Sequence, residues 1–392
     1  YAELDGSSVD DVVTISAQMS SGETDTRDVV INYEAGTKWG PNYNINWDSV
    51  TNIQDVAQVV DGTWQIDNGG LRPLDLGYDR VVAIGDRSWD NYELDLSITT
   101  HDLLNVDPRG RDGGGFALGM LWEGHTDVPR AGFQPKAGWE PGAAFFYTDN
   151  NQDGVGKLTL HPSRDFFSSL ANKSFTLQEG NTYDVTMRVE QSGLYDRDYS
   201  IKIWRQGTAE PTNWTLQGTE AFDLSEAPAT GSLYLNAHYF DVAFGDLTIT
   251  EITGRDIVQG SDAADLLAAV DAGSPMPGQG EIDVLAGYAG PDSFIFGDNN
   301  GIYYDDGDGS SLGESDYGFV WDFDSGMDQI QLAGSSVNYV LTNDHAGLPA
   351  GTAIWRDGQN GETDELVAVL GNVTNLDLNS ADFAFTDQGA FV

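Results

Sequence analysis

The sequence has no cysteine, few basic residues and no long apolar run. Each absence excludes something. Without disulfides, a protein working outside a cell must be held together by core size or by metal. Lys and Arg total 18 against 63 Asp and Glu, a formal net charge of −45. A phosphate backbone needs a basic surface, so nucleic acid is excluded as a partner. Docking on an anionic membrane is excluded for the same reason. No stretch reaches the roughly 18 apolar residues of a membrane-spanning helix, so membrane insertion is not expected. No charged-then-apolar leader opens the sequence, so an export address is expected elsewhere unless a leader has been removed. No Gly-x-Ser-x-Gly elbow occurs, which removes the usual support for Ser-His-Asp catalysis. The five histidines (His101, His125, His161, His238, His345) are too scattered for a zinc cluster.

What is present is unevenly spread. Hydrophobic residues make up 40%, enough for a real core. From Asp256 onward there are 24 acidic residues and one basic residue, Arg356. The first 255 residues carry the other 17 basic residues and eight of the ten tryptophans. That shift divides the chain into 1–29, 30–254 and 255–392. Residues 1–29 read as an extra strand or the tail of a preceding domain. The middle segment alternates apolar and polar residues, as in Asn91–Ile98, Tyr183–Val189 and Gly245–Ile252. Gly, Asn and Asp clusters separate such runs. Many short strands over some 220 residues predict an all-β fold of two antiparallel sheets packed face to face.

From Gly260 to Asp292 a nine-residue grid appears. Asp265, Asp283 and Asp292 fall on it, and Leu267, Met276, Leu285 and Phe294 fall two positions later. The clearest unit is Gly287-Tyr-Ala-Gly290-Pro-Asp292-Ser-Phe294. A later block, Val320-Trp-Asp322-Phe-Asp324-Ser-Gly326-Met-Asp328-Gln-Ile330-Gln-Leu332, repeats the theme. In combination this third of the chain resembles RTX-type calcium-binding proteins exported by type I secretion. The resemblance implies a short parallel β-roll, with glycines turning, Asp265, Asp283 and Asp292 ligating calcium and the apolar residues filling the core. It further implies a β-rich C-terminal secretion domain, the type I secretion machinery as a partner, and an extracellular or cell-surface location. Carboxylates that repel one another where Ca²⁺ is scarce, and fold where it is abundant, would give the acidity a purpose. A second loop, Asp149-Asn-Asn151-Gln-Asp153-Gly154, opens like an EF-type calcium loop but has Leu160 at its twelfth position. A lone Ca²⁺ and an ordinary Asx turn both fit it.

Residues 113–148 interleave aromatic and polar side chains most densely. Trp122 and Trp139 offer stacking surfaces for sugar rings, and Glu123, His125, Gln134 and Lys136 offer hydroxyl partners. Trp122 also fits a core position, and His125 a turn cap. The middle segment resembles the concanavalin A-like jelly roll, through Trp89–Ser97 and Tyr239–Ile249. That resemblance implies recognition of an extracellular glycan or polysaccharide, lectin- or adhesin-like. A polysaccharide-degrading enzyme is the alternative, lyase ahead of glycoside hydrolase. His125, Tyr147, Gln134, His238 and Tyr239, with Arg80 or Arg130, hold the parts of a lyase centre. Glu93 and Asp95 share one strand face but lack the third acid of the laminarinase-like motif, so solvated strand charges describe them better. A structural surface protein assembling through calcium is a further alternative.

Overall fold

The computed structural model describes residues 11–18, 24–31, 40–102, 114–122, 125–129, 137–139, 142–149, 155–163, 168–221, 230–359 and 361–388, with side chains left out of account for 11–31, 125–139 and 388. Among these the chain is all β, with four single-turn 3-10 helices and no α-helix. Strands Asp11–Gln18 and Thr24–Ile31 form a two-stranded sheet of their own.

Residues 43–251 build a two-sheet sandwich. One sheet has seven antiparallel strands in the order Ala171–Thr176, Val155–His161, Ala143–Asp149, Gly114–Trp122, Ser232–His238, Arg80–Ile84, Gln58–Asp61. The other has eight: Leu216–Ala221, Asp196–Arg205, Thr182–Gln191, Tyr92–Asp102, Asp241–Glu251, Gly70–Pro73 and Trp64–Asp67, with Tyr43–Ile45 paired beside Asp241–Glu251. Period-two alternation sets which face each strand buries. In Tyr92–Asp102, Leu94, Leu96 and Ile98 enter the core while Glu93 and Asp95 turn outward. Phe116, Leu118 and Met120 meet them from the seven-stranded sheet. Trp47 and Phe244 are likewise fully buried there.

Residues 257–385 form a different architecture, with two cores of their own. The chain alternates between two sheets and returns in parallel each time. Strands Ile257–Gln259, Ile282–Ala286, Tyr317–Val320 and Glu365–Gly371 run parallel in one sheet, extended by the antiparallel hairpin Tyr339–Asn343 and Gly351–Arg356. Strands Leu266–Leu267, Ser293–Ile295, Gln329–Leu332 and Phe383–Phe385 make the second, wholly parallel sheet. The first coil spans 27 residues, so Asp265 stacks on Asp292 and Asp256 on Asp283. The next brings Asp292 onto Asp328, 36 residues on. A 27-residue coil keeps a nine-residue grid in phase, which is why the repeat is visible in sequence. Leu267, Leu285 and Phe294 fill the core as that grid predicts, but Met276 is 43% exposed. The third nonapeptide of the coil is turn rather than strand, so its apolar position has no sheet to face.

The seam between the two architectures is polar and specific. Asp90 accepts the Ile257 N–H at 3.0 Å, and the Asn91 amide donates to the Arg255 carbonyl. Tyr195 packs its ring edge-on against Trp321, centroids 5.1 Å apart.

Candidate functional site

Aspartates form rows down the turns of the parallel coils. Asp292 Oδ1 accepts the Asp265 N–H at 2.9 Å, and Asp328 Oδ1 accepts the Asp292 N–H at 3.0 Å. Asp382 takes the Gly326 N–H at 2.8 Å. Each carboxylate thus caps the coil before it, satisfying a backbone donor that a turn would leave free. Outer oxygens are served locally: Asp265 Oδ2 by the Ser261 N–H and Asp328 Oδ2 by the Asp324 N–H. Asp292 breaks the pattern. Four residues before it stands Tyr288, whose N–H goes instead to Asp322, as does that of Gly287. Asp292 is 1% exposed, and its Oδ2 has no hydrogen-bond partner. Burial, then the neighbouring Asp328, Asp265 and Asp322, push its carboxyl above the ordinary value. A buried carboxylate oxygen without a donor, among other carboxylates, suits a hard cation.

A parallel row behaves differently. Asp283 is fully buried, and both of its oxygens are taken, by the Asp256 N–H at 2.8 Å and the Tyr304 hydroxyl at 2.7 Å. Burial pushes its carboxyl up to about 7, and that of Asp256 likewise to about 7. Asp283 therefore serves as an internal brace rather than an open ligand. A third acidic group joins the loop after Tyr304 to strand Glu365–Gly371. Ligand oxygens of Asp305, Asp306 and Glu365 lie within 4.8 Å of one another, beside a cavity of about 220 Å³. Arg356 partly offsets them through Asp305 at 3.2 Å.

On the sandwich, the outer face of the seven-stranded sheet carries aromatic and polar residues together. Ala117, Trp122, Ala144, Phe146 and Tyr234 cluster there, opposite the inter-sheet core. Glycine at 119 is required, because a Cβ would lie 1.7 Å from the Tyr234 ring, which spreads across the neighbouring strand. Two residues along from Tyr234 is Asn236, and two further His238. Asp79 joins them: its Oδ1 accepts from His238 Nδ1 at 2.8 Å and from Asn236 Nδ2 at 3.2 Å. Tyr78 and Tyr239 set their rings edge-on to the imidazole, with centroids 5.0 and 4.9 Å away. Phe146 adds a third ring at 6.3 Å.

The residues singled out in sequence divide accordingly. Trp122 and His238 reach this outer face. Tyr147 does not: it is fully buried in the inter-sheet core, stacked on Phe116, because it alternates with Phe146 on the same strand. Arg80 is held by Asp75 at 2.7 Å and Asp61 at 3.3 Å. The backbone register places His125 opposite Trp139 in a short hairpin. Glu123, Gln134, Lys136, Asn151 and Asp153 lie outside the described residues. Asp149 is buried at the end of its strand. Glu93 and Asp95 are engaged by Arg188 at 2.6 Å and by the Thr186 hydroxyl, as strand charges rather than a catalytic pair. Asp79 and Asn236 carry no spacing signal in the sequence; only the register opposing Arg80–Ile84 to Ser232–His238 unites them.

No protein-family model matches the chain, and no curated protein does. Among solved structures, the VIP36 exoplasmic/lumenal domain in its Ca²⁺/Man3GlcNAc-bound form is 10% identical, covering 51% of this chain and 85% of that one, with a TM-score of 0.35. Peanut lectin is 15% identical over 54% and 98%, with a TM-score of 0.35. The marine PL-14 alginate lyase from Aplysia kurodai is 13% identical over 55% and 92%, with a TM-score of 0.27. The ligands named for these proteins are their own.

Proposed function

We propose that the chain is an extracellular, calcium-loaded glycan-binding protein. In this reading the parallel coils of residues 257–385 fold around calcium, and the outer face of the seven-stranded sheet recognises sugar. The observation that carries it is the buried, donorless Oδ2 of Asp292 within a row of carboxylates. Asp292 would offer that oxygen to the ion, the donor type Ca²⁺ prefers, while the neighbouring Asp265, Asp322 and Asp328 add negative charge around it. The ion would supply positive charge where the chain has almost none. The glycan half of the reading is supported by the mixture of rings and fixed polar groups on the sheet face. Export by type I machinery completes the proposal: the acidic coils stay unfolded where calcium is scarce and fold after crossing.

Calcium at one hundred times its dissociation constant is expected to add about 2.7 kcal/mol per independent site. Differential scanning calorimetry with chelator and with millimolar calcium should therefore show a higher melting temperature when calcium is present. Asp292→Asn can keep the bond to the Asp265 N–H but removes the negative charge and sets an NH2 donor where the free oxygen stood, and should remove most of that gain. Identical curves in chelator and calcium would end the calcium reading. A glycan array on the calcium-loaded chain tests the other half.

A further inference from the structure

We infer that the sheet-face site takes a neutral sugar, recognised through hydroxyl groups that donate to Asn236 and His238, and not a uronate polymer. This rests on the glycan reading above and names its substrate class. Asn236 is fully buried, and its Oδ1 has no partner. The side chain cannot turn over to relieve this, because its Nδ2 donates to Asp79 and a flipped amide would set oxygen against carboxylate. His238 is constrained in the same way. Its Nδ1 donates to Asp79, so in the neutral imidazole Nε2 presents a lone pair. That nitrogen has no hydrogen-bond partner among the described residues, and His238 as a whole is 9% exposed.

One carboxylate therefore fixes two acceptors on adjacent outward positions of a single strand. What they lack is donors. A sugar hydroxyl donates to such acceptors; a carboxylate set against them at neutral pH does not, so a uronate could meet them only through its ring hydroxyls. Among the described residues, a uronate would also approach the Asp79 charge with little to offset it. Arg80 is spent on Asp75 and Asp61. Lys157 shares the row of His238 through Gly115 and Thr148, but it stands three strands away, about 14 Å at the usual strand spacing. The surrounding Tyr78, Tyr239 and Phe146 rings suit the C–H face of a pyranose.

The test uses the whole calcium-loaded chain in affinity electrophoresis, with gels containing a neutral β-glucan, a galactan, alginate or pectate. Retardation by a neutral gel and none by the uronate gels is expected. His238→Gln and Asn236→Leu should each weaken retardation at least tenfold, with the fold monitored by circular dichroism. Equal or stronger retardation by alginate or pectate would overturn the neutral class while leaving glycan binding intact, and would favour lyase chemistry instead. Folded variants that bind as tightly as the unaltered chain would overturn the role of the two acceptors. No retardation in any gel would overturn the glycan reading itself. The preference of the unaltered chain decides the class even if a variant fails to fold.

Discussion

Stripped of divalent cations, the C-terminal coils are expected to become more stable as pH falls from about 8 to about 5.5, the reverse of ordinary acid denaturation. The reason lies in Asp283, Asp256 and Glu365. Each is pushed up to about 7, burial being the largest cause in every case. In the unfolded chain these groups titrate near 4. Between those values the folded state holds protons that the unfolded state has released, so stability falls with rising pH across that window and levels off above it. Each unit of separation corresponds to about 1.4 kcal/mol for a fully buried group. Asp283 carries that weight most fully, and Asp256, only partly buried, carries less. Scanning calorimetry in chelator should place the C-terminal transition at least about 5 °C higher at the acid end. Calcium at the Asp292 row should raise the transition but leave this dependence in place, because Asp283 and Asp256 lie outside that row. The sandwich, whose outward acids meet cations such as Arg72 and Arg188, should shift less. A C-terminal transition that moves down on acidification would mean that these carboxylates ionise freely in the fold.

The all-β class was legible because alternation is a local property. Leu94, Leu96 and Ile98 announce an inward face without knowledge of what covers it. The coils were legible for a similar reason, since stacking at a multiple of nine residues keeps Asp265, Asp283 and Asp292 in phase. The division of labour among those aspartates was not. Asp283 and Asp292 occupy the same grid position, yet one is saturated by Tyr304 and the other is left with a free oxygen. That difference depends on Tyr304, which arrives from the next loop, and on Tyr288, whose N–H is diverted to Asp322. The sheet-face site shows the same limit. His238 could be suspected as a histidine, but Asp79 and Asn236 acquire meaning only when strands from opposite ends of the sandwich pair. Tyr147 was misplaced by density of aromatic residues, where strand parity decides: Phe146 and Tyr147 are neighbours on opposite faces.

Two substitutions on one apolar grid should separate by several kcal/mol. Phe294 is fully buried between the parallel sheets, with the Phe323 ring 6.3 Å away. Phe294→Ala removes that ring and leaves a cavity that the stacked coils cannot readily close, at a cost of about 3–5 kcal/mol. Met276 has the same phase and the same apolar character, but it is 43% exposed. Met276→Ala should change stability by no more than about 0.5 kcal/mol. Denaturant unfolding of the calcium-loaded chain, followed through Trp321 and Trp355, measures both. The pair tests the 27-residue coil directly. In a roll built from successive nonapeptides the two positions would be equivalent, and both changes would be severe. In the coil seen here the nonapeptide holding Met276 is spent on turns, so its side chain has no opposing sheet. A large cost at Met276 would require that segment to be a strand packed on the core, and would shorten the coil to the period that the sequence grid alone suggests.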